Sequence, residues 1–401
     1  MKPGQCLVIY EGAADEPLPE LDDRTPLSVA RGACLAALAA QGRLGALVGA
    51  DAPPWVSGLR ALCGWQGLPL PAPADLAYGP LVAAGLGWEL PTRAYYYAGQ
   101  AVTLDEDILR DGRLEDLSAV ETEALAATVR PALAAEGVDL DVRGGGGRML
   151  VGLRGGREAA PGGPPPRWLE GESSTALNEA DEREDWPRRL FEITRAAWAE
   201  HPVNMVRLDL GLNPAHALWV WGGGPPVARR EAASVGALLV SNEPAVRGWG
   251  LAQGFEIQSL PPLSALKKGV PWFRLRAFVT ALRQVERVIC YLGAPGELGN
   301  FGSAVEKIRV LEQWDRVMLA PLADILAAEG LGRLVVLAGG AVSSRTGRPC
   351  AADCPLVVCQ PALAARVQET AVPWDEAAGR TGGLGRLRPA DLADLTRADR
   401  A

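Results

Sequence analysis

Short apolar runs recur along the chain at the spacing of an α/β protein. Cys6–Tyr10 (CLVIY) opens the series, and Met149–Leu153, Ala217–Trp221, Ala237–Val240, Val288–Leu292, Leu334–Ala338 and Leu356–Cys359 continue it. Runs this short and this apolar are the pattern of strands buried on both faces. Between several of them lie segments with helical patterning: Val120–Ala135, Trp186–Ala199, Trp272–Gln284 and Ala304–Ala328. Near the start, Thr25 reads as an N-cap with Pro26 at the first helical position. The helix predicted there runs Leu27–Gln41 and is stopped by Gly42. Strands alternating with helices predict an α/β fold, a mainly parallel sheet with helices on both faces.

One stretch interrupts that pattern. Gly155–Trp168 (GGREAAPGGPPPRW) is too rich in Gly and Pro to continue a strand or a helix, and reads as a linker. Upstream, from Pro91 to Leu153, a strand carrying Tyr95–Tyr97, a helix and a second strand read as a smaller inserted α+β domain. The predicted organisation is a core of residues 1–90 and 169–401, with an inserted cap domain at 91–168.

A chain of 401 residues is long enough for two domains. The net charge of −8 argues against nucleic acid or an anionic membrane as a partner, since both attract basic surfaces. CLVIY is too short for a signal-peptide core, and no later stretch reaches the roughly 18 apolar residues of a membrane span. Seven cysteines scattered through the chain fit reduced thiols, so the expected compartment is the cytoplasm.

In open parallel sheets the chemistry gathers at the C-terminal strand ends. The loops expected there are EGAADE, GAPGELGN and GGAVSSRTGRPCAADC; Glu11 in the first is placed to be a metal ligand or a base. The chain has only two histidines, His201 and His216, which read as capping or packing residues. Cys350, Cys354 and Cys359 lack the fourth ligand of a zinc site, and RGGGGR (Arg143–Arg148) lacks the Lys–Ser/Thr pair of a phosphate loop, so it reads as a turn. Ser343 and Ser344 read as loop residues, and Trp219, Trp221 and Trp314 as core.

Several stretches together carry a resemblance: EGAADEPLPELDDRTPLSVA, GPLVAAGLGWEL, HPVNMVRLDLGLNPAHALWVWGGG, EKIRVLEQWD and GGLGRLRPADL. The chain resembles the archaeal-type, cofactor-independent phosphoglycerate mutases of the alkaline phosphatase superfamily. That resemblance implies an alkaline-phosphatase-like core with an inserted domain. It also implies two divalent metals such as Mn or Zn, held by aspartates and histidines, and a serine that is transiently phosphorylated. Carried onto this chain, the first aspartate falls on Glu11. The serine falls on Trp55 or Val56, with Ser57 one or two places late, and Trp55 and Trp65 are expected to fill the space around it. The remaining ligands fall on Gly296, Asn300, Gly339, Gly340 and the Pro349–Cys350 region. Arg148 and Arg247 fall on arginines with which the family binds substrate.

Glycine offers no donor, so the expectation is a degenerate site without metal or other cofactor. On this reading the protein has lost the family's catalysis and binds a small phosphorylated or carboxylate metabolite, or a protein partner. The alternative is a divergent, metal-independent enzyme working through Glu11, Asp15, Asn300 and Cys350 in the same cleft.

Overall fold

The apolar run at the N-terminus becomes β1 (Gln5–Tyr10), buried from Cys6 onward. Both of its edges are paired in parallel: Cys6 lies opposite Val288 of β10 (Arg287–Leu292) and opposite Leu334 of β11 (Arg333–Ala338). A strand so enclosed has no solvent face, which is why CLVIY shows no alternation. The computed structural model describes residues 5–48, 54–70, 76–89, 94–114, 116–142, 145–154, 164–174, 186–227, 237–259, 285, 287–293, 303–328, 330, 332–360 and 372–397. The predicted helix Trp272–Gln284 and the positions Gly296 and Asn300 lie outside them.

Among the described residues the core sheet has eight strands. Their order is β13 (Arg386–Leu387), β2 (Arg43–Leu47), β12 (Cys354–Cys359), β11, β1, β10, β8 (Ala237–Ser241) and β9 (Glu256–Gln258). All neighbours are parallel except those of β12, which runs antiparallel to both β11 and β2. The sheet is thus mostly parallel, as the apolar runs predicted.

The helix predicted for Leu27–Gln41 forms as two, α1 (Pro26–Val29) and α2 (Ala33–Gln41). Thr25 does cap the first, in a capping box with Ser28. The break has a distant cause. The Asp315 carboxylate accepts the N–H groups of Cys34 (3.0 Å) and Leu35 (2.7 Å), and Glu312 accepts that of Arg31 (2.9 Å). These acids provide a second set of N-terminal acceptors, so the chain restarts as a helix at Ala33. Asp315 itself begins a π-helical turn, Asp315–Leu319, between α9 (Ala304–Trp314) and α10 (Ala320–Ala328).

The chain divides into two compact units, Met1–Asp75 with Arg230–Ala401, and Leu76–Arg229. The second is wider than the predicted 91–168. Its centre is β3 (Ala94–Asp105), antiparallel to β6 (Arg148–Arg154) on one edge and to β4 (Ile108–Asp111) and β7 (Ala217–Gly224) on the other pairings; β5 (Val138–Val142) pairs with β6. Because β7 completes this sheet, with Val102 opposite Ala217, residues beyond Trp168 stay in the second unit. An apolar run announces burial and leaves the identity of its sheet open, so ALWVW was assigned to the core by sequence. α5 (Ala119–Ala135) and α6 (Trp186–Trp198) supply Leu125, Val129, Leu133, Leu190 and Trp198 to the cluster that covers this sheet. No helix among the described residues is long and apolar enough to cross a membrane.

Candidate functional site

In the first unit the C-terminal ends of β10, β1 and β11 are stitched together by backbone. Glu11 N–H donates to Leu292 O at 2.8 Å and Gly339 N–H to Tyr10 O at 2.9 Å. Glu11 is therefore held, buried, at the expected place. α3 (Pro54–Gln66) lies against this end through Gly58: a Cβ there would come 2.2 Å from the Tyr291 hydroxyl oxygen. Ser57, half-buried, precedes it. At the other end of α3, Trp65 is buried with the Arg287 guanidinium 5.6 Å from its ring centroid. Arg287 opens β10, so Trp65 sits at the N-terminal strand ends and does not fill the space around Ser57, as the sequence had suggested. The side chain of Trp55 lies outside the description.

Gly339 is closed to any side chain. A Cβ there would lie 2.3 Å from Ile9 Cγ2 and 3.5 Å from Gly58 Cα. Gly340 has φ +116°, a conformation that side chains avoid.

Below these glycines lies a buried polar network that the sequence reading missed. Asp15, at 1% exposure, accepts from Lys307 Nζ (2.9 Å), Ser344 Oγ (2.7 Å) and Ser344 N–H. Lys307 Nζ also donates to Ala14 O (3.2 Å) and Val342 O (2.9 Å), so its three protons have three acceptors. The ammonium thus clamps the loop after β1 to the loop after β11. Glu376, on α11 (Glu376–Thr381), accepts from Asp15 N–H (3.0 Å) and Thr25 Oγ1 (2.6 Å). Burial pushes its carboxyl up to about 7, against the lowering effect of these hydrogen bonds. Burial likewise pushes the Cys350 thiol up to about 11. One clue was present: Lys307 shares the buried stripe of α9 with Ala304, Val310, Leu311 and Trp314, where a charge must find an internal partner.

Neither histidine is in the first unit. His201 caps α7 (Pro202–Asp209), its Nδ1 accepting from Val203 N–H at 3.2 Å, and His216 Nδ1 accepts from Leu104 N–H at 2.9 Å. Burial lowers both imidazoles from their ordinary value. Arg148 opens β6 in the second unit and is exposed. Arg247 lies half-buried on α8 (Pro244–Ala252), which follows β8 in the first unit; its Nε is buried with no partner among the described residues. The Arg143–Arg148 stretch ends in a turn, Gly146 and Gly147 at φ +69° and +68°, with Gln100 Nε2 donating to Gly146 O at 2.7 Å.

An α/β core whose chain leaves for an antiparallel unit and returns is the class that these features define. Within that class, the homologues of this chain are 2,3-bisphosphoglycerate-independent phosphoglycerate mutases. That of Methanosarcina mazei is 26% identical over 325 residues, covering 80% of this chain and 81% of its own. That of Methanothermobacter thermautotrophicus is 28% identical over 331 residues, covering 80% of each. A third, from Methanoculleus marisnigri, is 26% identical over 411 residues, covering 97% and 95%. No family model matches the chain. Among solved structures, a Pyrococcus horikoshii protein superposes with TM-score 0.69 at 19% identity, covering 100% and 99% of the two chains. The cofactor-independent phosphoglycerate mutase of Thermoplasma acidophilum does so with TM-score 0.53 at 20% identity, covering 98% and 99%.

These relatives overturn one expectation. The sequence reading anticipated no cofactor, whereas the homologues are cofactor-independent mutases, the class for which the resemblance implies two divalent metals. Among the described residues no three His, Cys, Asp or Glu side chains are grouped to hold a metal ion. Those residues therefore do not fit a metal pair by themselves.

Proposed function

We propose that this phosphoglycerate-mutase-like protein no longer performs the serine-based phosphoryl transfer and instead binds a small phosphorylated or carboxylate metabolite. The observation that carries the reading is Gly339, where a ligating side chain is expected and the space is taken by Ile9. Supporting it, Ser57 shares its unit with no histidine. A serine without an imidazole or a comparable base is a weak nucleophile. The reading concerns turnover and not metal content. The alternative of a rebuilt, metal-independent active site is weaker, because Asp15 is committed to Lys307 and Ser344 and the Cys350 thiol is held protonated. Free thiols at all seven cysteines favour the cytoplasm as its compartment.

Arg247 is the anion-binding group of this reading in the first unit, and Arg148 a second candidate in the other. A guanidinium–phosphate contact is worth about 1.5–3 kcal/mol. Calorimetry with 3-phosphoglycerate is therefore expected to show binding that Arg247→Ala weakens by roughly 10- to 100-fold. Equal binding by wild type and Arg247→Ala would move the function to a protein partner. An enolase-coupled assay with Mn²⁺ or Co²⁺ supplied should show no interconversion of 2- and 3-phosphoglycerate; turnover in the ordinary range of roughly 1–10³ s⁻¹ would overturn the reading.

A further inference from the structure

Apart from the proposed metabolite site, one surface of the second unit departs from the rest. On and just beyond α7, Met205, Val206, Leu208, Leu210 and Leu212 are 60%, 56%, 61%, 69% and 39% exposed. Elsewhere among the described residues the large exposed apolar side chains stand singly, as Val48, Leu251 and Val305 do. At 100° per residue, Met205, Val206 and Leu208 fall on one outward arc of the helix. The inner arc is fixed by Asn204, whose Nδ2 donates to Trp198 O and Ala215 O, and by Arg207, 1% exposed and paired with Asp116 and Glu121. The helix is thus held rigidly with its apolar side turned to water. A cluster of this kind marks an interaction surface.

Charge selects the occupant. The one cation of α7 is Arg207, and it is buried on the inner arc, while Asp209, at the C-terminal end of the outward arc, and Glu200, just before the helix, are exposed. Residues 76–229 contain 23 acidic side chains against 15 arginines and no lysine, a difference of −8 that equals the whole chain's net charge. A second copy would bring acid against acid across the same patch. A partner with apolar side chains flanked by lysine or arginine would meet complementary charge.

We propose that the exposed face of α7 docks an amphipathic helix of another protein, one whose apolar stripe is bordered by basic residues. Met205, Val206, Leu208, Leu210 and Leu212 take the stripe, and Glu200 and Asp209 engage its basic border.

The test uses the full chain and a fluorescent synthetic 18-residue helix with a leucine face and a lysine border. Its anisotropy should saturate with wild type, and affinity should fall at least ~10-fold in Met205→Gln/Leu208→Gln. A peptide with the same leucine face and a glutamate border should bind at least ~10-fold more weakly than the lysine peptide. Both altered residues are exposed, and an unchanged melting temperature would show that the variant is folded. The proposal fails if the variant binds the lysine peptide as wild type does, or if wild type takes both peptides equally. It also fails if light scattering finds a wild-type dimer that the double variant dissolves, since the occupant would then be a second copy.

Discussion

Lys307 and Asp15 form an ion pair with Nζ 2.9 Å from Oδ2 and both side chains at 0% exposure. The pair joins the two loops that leave the adjacent strands β1 and β11. Removing one partner strands the other as a buried charge, which costs about 3–5 kcal/mol, whereas replacing both is far milder. Lys307→Met is expected to lower stability in urea unfolding by that amount, and Lys307→Met/Asp15→Leu by clearly less. Equal losses in single and double variants would mean that the pair is not the cause.

Glu376 gives the protein a pH dependence of definite sign. Its folded value of about 7 stands above the ordinary 4.5, because burial at 6% exposure disfavours the carboxylate. The folded state therefore holds more protons than the unfolded one between these values. Stability is greatest below pH 4.5 for this group and falls as pH rises through about 7. The loss attached to this group is on the order of 3 kcal/mol. Glu376→Gln should flatten the curve of unfolding free energy between pH 5 and 8; a variant with the wild-type slope would contradict the assignment.

Gly339 and Ile9 are coupled by contact. A methyl group at 339 meets Ile9 Cγ2 at 2.3 Å, so Gly339→Ala should cost about 1–3 kcal/mol through overpacking. Ile9→Ala makes room while removing core area, so the double variant should lose less than the sum of the singles. Strict additivity in thermal unfolding would show that the two positions do not compete.

Asp315 acts as a cap supplied by another helix. Asp315→Ala removes both acceptors of the α2 amides and should destabilise by about 1–2 kcal/mol. Hydrogen exchange at Cys34 and Leu35 should accelerate beyond that of the central residues of α2. Uniform acceleration along the helix would rule out a terminal role.

What the sequence could disclose follows the range of each interaction. The strands at Cys6–Tyr10, Val288–Leu292 and Leu334–Ala338 were legible because burial on both faces writes itself into consecutive residues. Thr25 and Gly42 were legible because caps act within a turn. The break between α1 and α2 was not, since its cause, Asp315, is remote in the chain. Glu376 bonded to Asp15 N–H carries no local mark at either residue. The bare glycines 339 and 340 could be read directly, but the packing of Ile9 against the first of them needed the register of β1 on β11.

The position of β1 also has a consequence for how the protein is made. It leaves the ribosome well before either of its partners, Arg287–Leu292 and Arg333–Ala338, has been made. The second unit, by contrast, makes all three pairings of β3 within Leu76–Arg229 and can finish folding while β1 still waits. Throughout that interval CLVIY is an apolar segment with two unpaired edges, the kind that templates association between chains. A chain terminated before Arg333 would carry a finished second unit and an unfinished core, and should be recovered as aggregate, so that translating β10 and β11 is what makes β1 safe.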